Sequence, residues 1–163
     1  MSEYSPVAVH DATHDRASFD CGIEALNAYL RQYAQQNQKK GIVRNYVTCR
    51  GARVVGYYSL AYGSVSQTDA PPLLSKGIGK YPIPLMILAR LAVDVSEKGQ
   101  GLGNALLKDA ILRTLQAAEI AGLKAIFVQA KTGEARKFYE KHGFIPSPND
   151  PLHLFFPLDA LRK

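Results

Sequence analysis

The chain has 163 residues, 47% of them apolar and 21% charged, the balance of one globular domain with a full core rather than of a disordered chain. Its formal net charge is +6, and the imbalance is local: residues 25–93 hold nine bases against a single acid, Asp69, whereas residues 1–24 hold five acids and one base. A polyanionic partner such as a nucleic acid would account for that middle segment, with solubility alone as the plain alternative. No basic-then-apolar leader opens the chain, and the longest apolar run, around Leu85 to Val93, contains Arg90 and is too short to span a bilayer. The expectation is a cytoplasmic protein without membrane contact. Cys21 and Cys49 have no metal-ligand spacing and read as two reduced thiols, so no metal site is expected.

In chain order, residues 5–9 suit a short strand. Asp20 suits the N-cap of a helix in which Ile23, Leu26, Leu30 and Tyr33 or Ala34 recur on one face, and Gly41 stops it. Its polar C-terminal end presents Lys39 and Lys40. Arg44 to Cys49 and Arg53 to Gly63, rich in Val and Tyr, read as a hairpin turning at Gly51-Ala52. Residues 64–84 hold four prolines and read as a long functional loop. A buried strand from Leu85 to Val95 follows, then a helix from Leu102 to about Ala121 with Leu106, Leu107, Ala110, Ile111, Leu115 and Ala118 inward. Ala125 to Ala130 is a short strand, and strand, helix and strand of these lengths suggest a parallel crossover. Gly133 to His142 forms a helix ended by Gly143, and Phe144-Ile145 with Leu152 to Phe156 supply a last strand or pair.

The turn after the long strand carries Gly99, Gly101 and Gly103 at every second position, directly before a helix. Glycines let backbone N–H groups converge, and the helix start adds unpaired N–H groups and partial positive charge, a seat for a phosphate or pyrophosphate. An ordinary tight turn is the bland reading. The P-loop is excluded because Asn104 and Ala105 follow Gly103 in place of Lys and Ser or Thr. The dinucleotide fingerprint is excluded because Leu106 stands where a third glycine is needed. The segment Lys98-Gly99-Gln100-Gly101-Leu102-Gly103 resembles the Q/R-x-x-G-x-G/A motif of the GNAT acyltransferases, with Lys98 in the Gln or Arg place. Downstream, Ala135 to Phe144 resembles the family's A-x-x-F-Y-x-x-x-G-F signature.

This resemblance implies an α/β (α+β) GNAT fold over residues 1–163 as a single domain: a mixed, mostly antiparallel sheet with a splayed parallel strand pair and helices on both faces. It implies acetyl-CoA as cosubstrate, its pyrophosphate on the N–H groups of Lys98, Gly99, Gln100, Gly101, Leu102, Gly103 and Asn104, and its pantetheine along Leu91, Ala92 and Val93. Of the two signature aromatics, Phe138 reads as core beside the cofactor, and Tyr139 as the general acid that protonates the leaving thiolate; an ordinary tyrosine, with a pKa near 10, is protonated at neutral pH.

No base is evident. Asp94 and Glu97 read as solvent-facing or capping, and His10, His14, His142 and His153 do not group. An α-amine, with a pKa near 8, needs a dedicated base less than a lysine amine near 10.4. The whole layout, from Phe19-Asp20-Cys21-Gly22 through Gly56-Tyr57-Tyr58-Ser59 to Ala89-Arg90-Leu91-Ala92-Val93-Asp94, further resembles the GNAT toxins of bacterial type II toxin–antitoxin systems. That resemblance implies acetylation of the α-amino group of aminoacyl-tRNA and arrest of translation. It also implies a homodimer and a ribbon-helix-helix antitoxin through which alone operator DNA is bound. Lys39, Lys40, Arg44 and Arg90 are the candidate tRNA contacts. A GNAT acting on a small-molecule or protein amine, and a CoA-binding module without turnover, are the alternatives.

Overall fold

The structure, a computed structural model, describes residues 4–159 and 161. Seven strands are present: β1 (Ala8–Val9), β2 (Arg44–Arg50), β3 (Arg53–Val65), β4 (Ile83–Val93), β5 (Ala125–Gln129), β6 (Ile145–Pro146) and β7 (His153–Pro157). Their order is β1-β2-β3-β4-β5-β7-β6. The β1–β2, β2–β3, β5–β7 and β6–β7 pairs are antiparallel and β4–β5 is parallel, the mixed sheet that the sequence implied. By packing the chain divides into two compact units, Met1–Ala61 with Ala89–Ile111, and Tyr62–Leu88 with Leu112–Lys163.

The first unit is built around Tyr57. Its ring meets Phe19 edge-on at 5.5 Å and stacks near Tyr29 at 6.3 Å, and its hydroxyl donates to the Leu26 carbonyl at 2.7 Å. Leu30, Ala34, Val47 and Val54 close this core. The first helical segment differs from its periodicity. Asp20 does not cap it: α1 (Glu24–Ala28) starts at Ile23 without a side-chain cap. Gly22 takes φ 90°, and the Asp20 carboxylate turns back to accept from Gly22 N–H and Asn27 Nδ2. A π-helical turn, Tyr29–Tyr33, then separates α1 from α2 (Ala34–Lys39). The extra residue in that turn rotates the apolar face, so Ala34 is fully buried while Tyr33 is exposed. Asn45, also fully buried, ties the π turn to the hairpin. It accepts from Tyr29 and Ser59 hydroxyls and donates Nδ2 to the Ala34 carbonyl at 2.8 Å.

The four histidines were not expected to group, but His10 and His14 stack with ring centroids 5.5 Å apart. Burial, with His14 and Arg16 nearby, pushes the His10 pKa down to about 4, so it is neutral at pH 7 and structural. Cys21 and Cys49 are buried free thiols.

In the second unit Ala70, Leu74, Ile83, Leu85, Ala125 and Phe155 form the core. The stretch read as a loop over 64–84 contains a 3-10 turn, Gln67–Asp69, and α3 (Pro72–Ser75). Ser147 Oγ donates to the Asp69 carbonyl at 2.7 Å, and Asn149 Nδ2 donates to the Thr68 carbonyl and to Asp69 Oδ1 at 2.9 Å each, so the segment is tied to the connection between β6 and β7. The strand predicted from Leu85 begins two residues earlier, at Ile83.

Helix α4 (Leu102–Ala118) follows the glycine turn. In the first unit it approaches β3 at Gly56, where an added Cβ would lie 2.9 Å from Leu106 and 3.3 Å from Leu102. Any larger residue there must push the start of α4 away. Gly56→Val is expected to destabilise the protein by about 1–3 kcal/mol, read from urea unfolding against wild type.

Candidate functional site

Two buried carboxylates prepare the glycine turn. The sequence placed Asp94 and Glu97 at the surface or in caps; in the structure they are 3% and 5% exposed, one just before and one at the end of a single 3-10 turn, Val95–Glu97. Asp94 does cap that turn, accepting from Ser96 N–H at 3.0 Å and Ser96 Oγ at 2.8 Å, but it also accepts from Asp20 N–H at 3.0 Å and faces Arg53 at 3.5 Å. Burial alone would push its carboxyl up; the Asp20 and Ser96 donors and Arg53 hold it below the usual carboxylate range. Glu97 receives a two-pronged bond from Arg50, Nε to Oε2 at 2.8 Å and Nη2 to Oε1 at 2.9 Å, and a third from the Tyr4 hydroxyl at 2.6 Å. Arg50 and Tyr4 push the Glu97 carboxyl down to about 2. Arg50 and Arg53 face each other across the β2–β3 hairpin, so one hairpin end clamps both acids. Fork geometry of this kind fixes orientation as well as charge.

From this clamp the chain enters the turn. Gly99 and Gly101 take φ 81° and 79°, the left-handed region open to glycine. An added Cβ at either would meet nothing within 4 Å, so backbone conformation and not crowding requires glycine here. The first α4 bond returned to the turn is Ala105 N–H to the Gly101 carbonyl at 3.1 Å. The N–H groups from Gly99 to Asn104 have no partner among the described residues. Lys98, Gly99, Gln100 and Gly101 are exposed, and Leu102 is buried as the anchor of α4. The turn is thus an exposed run of unpaired donors at a helix start, which fits a pyrophosphate. Leu91, Ala92 and Val93 precede it in the same unit, Ala92 buried and the other two half-buried.

The basic middle segment is less free than its composition suggested. Arg31, Arg50 and Arg53 pair with Glu24, Glu97 and Asp94, all acids outside residues 25–93. Lys39, Lys40 and Arg44 are exposed and make no ion pair among the described residues. Arg90 is half-buried, its guanidinium 3.5 Å from the centre of the Tyr29 ring, a cation–π contact that orients it.

Tyr139 lies on α5 (Gly133–Lys141) in the second unit. Thr132 caps this helix, accepting from Ala135 N–H at 3.0 Å, and Gly143 at φ 97° ends it. Phe138, read as core, is only half-buried, against His142 at 4.8 Å, whereas Tyr139 is 9% exposed and packs on Phe144 at 5.2 Å. The Tyr139 hydroxyl has no hydrogen-bond partner among the described residues. Burial pushes its pKa up to about 12, above the ordinary value of 10. Among the described residues, no three His, Cys, Asp or Glu side chains are placed to hold a metal ion.

Arg50, Arg53, Asp94 and Glu97 went unrecognised because each partnership spans more than forty residues, and only the bare fact of acids beside a glycine motif was visible. The exposed amide run before α4, the parallel β4–β5 pair and the tyrosine on α5 are the marks of a CoA-dependent acyltransferase. Residues 41–146 match the family described as "Acetyltransferase (GNAT) domain", and the chain belongs to that family. Over 163 residues it is 50% identical to the tRNA-acetylating toxin of Mycobacterium tuberculosis strain H37Rv, covering 99% of this chain and 97% of the relative. Among solved structures, it is similar to AtaT complexed with acetyl-methionyl-tRNAfMet, with a TM-score of 0.88 and 33% identity over 96% of this chain and 97% of the other. It is also similar to a Tyr-to-Phe mutant of AtaT bound to the C-terminus of the antitoxin AtaR and acetyl-CoA, with a TM-score of 0.83 and 31% identity over 98% and 96% of the two chains. Among the described residues no helix is long and apolar enough to cross a membrane.

The clamp makes a kinetic prediction. If the glycine turn holds the pyrophosphate, Arg50→Met should raise the KM for acetyl-CoA about 10-fold and leave kcat within about 2-fold, because Arg50 clamps the entry to that turn. The Glu97 carboxyl lies below its ordinary value, so its contribution is present above about pH 4.5 and is lost only as the pH falls toward 2. Wild-type KM for acetyl-CoA should therefore show no carboxylate limb above about pH 5, read from initial rates across pH.

Proposed function

We propose that the whole chain, residues 1–163, acts as one GNAT domain that moves acetyl from acetyl-CoA to the α-amino group of aminoacyl-tRNA and so arrests translation. The observation that carries this reading is the full-length similarity to a tRNA-acetylating toxin, joined to an exposed amide run suited to the CoA pyrophosphate. In this reading the N–H groups of Gly99 to Asn104 hold the pyrophosphate, while the Lys98 N–H, expected among them, donates instead to the Val95 carbonyl at 3.5 Å and leaves that residue its side-chain charge. The backbone of Leu91, Ala92 and Val93 lines the pantetheine, and a backbone N–H near Val93 stabilises the oxyanion. Phe138 packs beside the cosubstrate.

The neutral amine attacks the thioester carbonyl, and the C–S bond breaks with its electron pair on sulfur. Tyr139 gives that sulfur its proton. Its unpaired hydroxyl, on a buried ring, supports the role: with a pKa of about 12 it is protonated throughout the working range and has a proton to donate. Lys39, Lys40, Arg44 and Arg90 contact the tRNA. Three of them are exposed cations without ion-pair partners among the described residues, as a phosphate-binding surface requires. Arg90, stacked on Tyr29, is the one with a fixed direction.

The protein works in the cytoplasm, where charged tRNA is found. It pairs with a ribbon-helix-helix antitoxin, as AtaT is bound to the C-terminus of AtaR, and reaches operator DNA only through that partner. A homodimer completes the assembly.

Tyr139→Phe tests the chemistry. With no hydrogen bond to lose, the variant should melt within a few degrees of wild type yet transfer acetyl to charged tRNA about 100- to 10,000-fold more slowly, and its expression should not arrest growth. Retained arrest would remove Tyr139 from the mechanism. Reversing charge at Lys39, Lys40 and Arg44 together should weaken tRNA binding and flatten its salt dependence, while CoA release with a small amine acceptor stays as it was.

A further inference from the structure

A cavity of about 310 Å³ opens in the second unit. Ile87, Phe127 and Phe155 give it an apolar wall, and Asp69, Asp150 and His153 stand at its rim. The two phenylalanines face each other across the β5–β7 ladder, ring centroids 5.1 Å apart, and the His153 imidazole meets Phe127 edge-on at 5.4 Å.

The ladder geometry gives this place a meaning. The parallel β4–β5 rungs run from Leu85–Ala125 to Ile87–Phe127. The antiparallel β5–β7 rungs continue through Val128–Leu154 to Gln129–His153. His153 therefore stands level with the stretch of β5 beyond its last rung to β4. Its Nε2 is 3.4 Å from Asp150 Oδ2, and its Nδ1 has no partner among the described residues. The imidazole is about one-third exposed, at 36%, so a substrate can reach it. Asp69 is the second carboxylate near His153, and Asn149 and Ser66 hold it in place at 2.9 Å each.

We propose that this cavity receives the aminoacyl end of the acceptor, its side chain on the Ile87–Phe127–Phe155 wall and its ammonium at the Asp69–Asp150 rim, and that His153 is the base that takes the ammonium's proton. The inference rests on the aminoacyl-tRNA reading above. The acceptor's α-amine arrives largely as an ammonium, and two carboxylates attract it. With Asp150 Oδ2 3.4 Å from Nε2, the tautomer protonated at Nε2 faces the carboxylate and offers the Nδ1 lone pair to accept. The ammonium proton passes to Nδ1 and onward to water. The freed amine forms the N–C bond, the C–S bond breaks, and sulfur takes its proton from Tyr139. The second proton leaves nitrogen as the intermediate collapses and restores Tyr139 through water. His153 is thus catalytic and Asp150 is its positioning residue. The two carboxylates also disfavour an acceptor with an acidic side chain.

The experiment uses the full chain with acetyl-CoA and charged tRNA. His153→Gln, checked for wild-type melting, should lower kcat about 100-fold at neutral pH and leave the KM for acetyl-CoA within about 2-fold. Added imidazole should restore part of the rate, which a merely structural role for His153 would not allow. An unchanged kcat with no response to imidazole would overturn the assignment. Should that variant fail to fold, Asp150→Asn should slow turnover about 10-fold and leave the KM for acetyl-CoA within about 2-fold, and an unchanged kcat would overturn it equally. tRNAs charged with apolar amino acids should react at least about 10-fold faster than those charged with acidic ones; equal or reversed rates would remove the pocket. If wild type acetylates another amine and not charged tRNA, the tRNA reading fails, and the same His153→Gln comparison on that amine still decides the base.

Discussion

The acetyl-CoA seat proposed for this protein depends on keeping a run of backbone N–H groups unpaired, exposed and fixed. Glycine alone gives the first two properties and works against the third, since Gly99 and Gly101 are the freest residues in the turn. The fixing comes from just upstream. Asp94 and Glu97 are drawn out of water, and that is tolerable only because each is met by an arginine and by hydrogen-bond donors. The arginines sit opposite one another at one hairpin end, and the hairpin is held by the aromatic core around Tyr57. Order passes from packed rings to paired charges to an amide run that makes no bonds of its own.

The catalytic tyrosine proposed for the second unit uses burial differently. No described residue bonds to the Tyr139 hydroxyl, and burial, with Phe138 and Phe144 packed on the ring, raises its pKa. A phenol that holds its proton more tightly than usual cannot serve as a base, but it can protonate a thiolate formed next to it. The donor turn and the tyrosine thus answer opposite needs: unpaired donors for an anion already charged, and a guarded proton for a charge that appears during the reaction.

Much of this was legible in the sequence because it is local. The glycine spacing, the helix after it, the alternating hairpin and the parallel crossover each follow from residues within one element and its neighbour. What escaped was non-local or cooperative. The π turn at Tyr29–Tyr33 adds one residue to a helix whose periodicity reads as continuous, so the exposed side of Tyr33 was invisible. Arg50 and Arg53 counted toward a positive surface because their acids lie more than forty residues on. His153 looked isolated because Phe127 and Asp69 reach it only through the fold. Phe138 and Tyr139 are neighbours on one helix, and only packing decides which is buried.

The identity of the acceptor decides what this protein does. Incubating the protein with acetyl-labelled acetyl-CoA and total charged tRNA, then stripping the tRNA with mild alkali, tests it directly. Label recovered as N-acetylated amino acids, absent with uncharged tRNA, is the result the account predicts. Label found only on protein or on small amines, with charged tRNA unmodified, would contradict it.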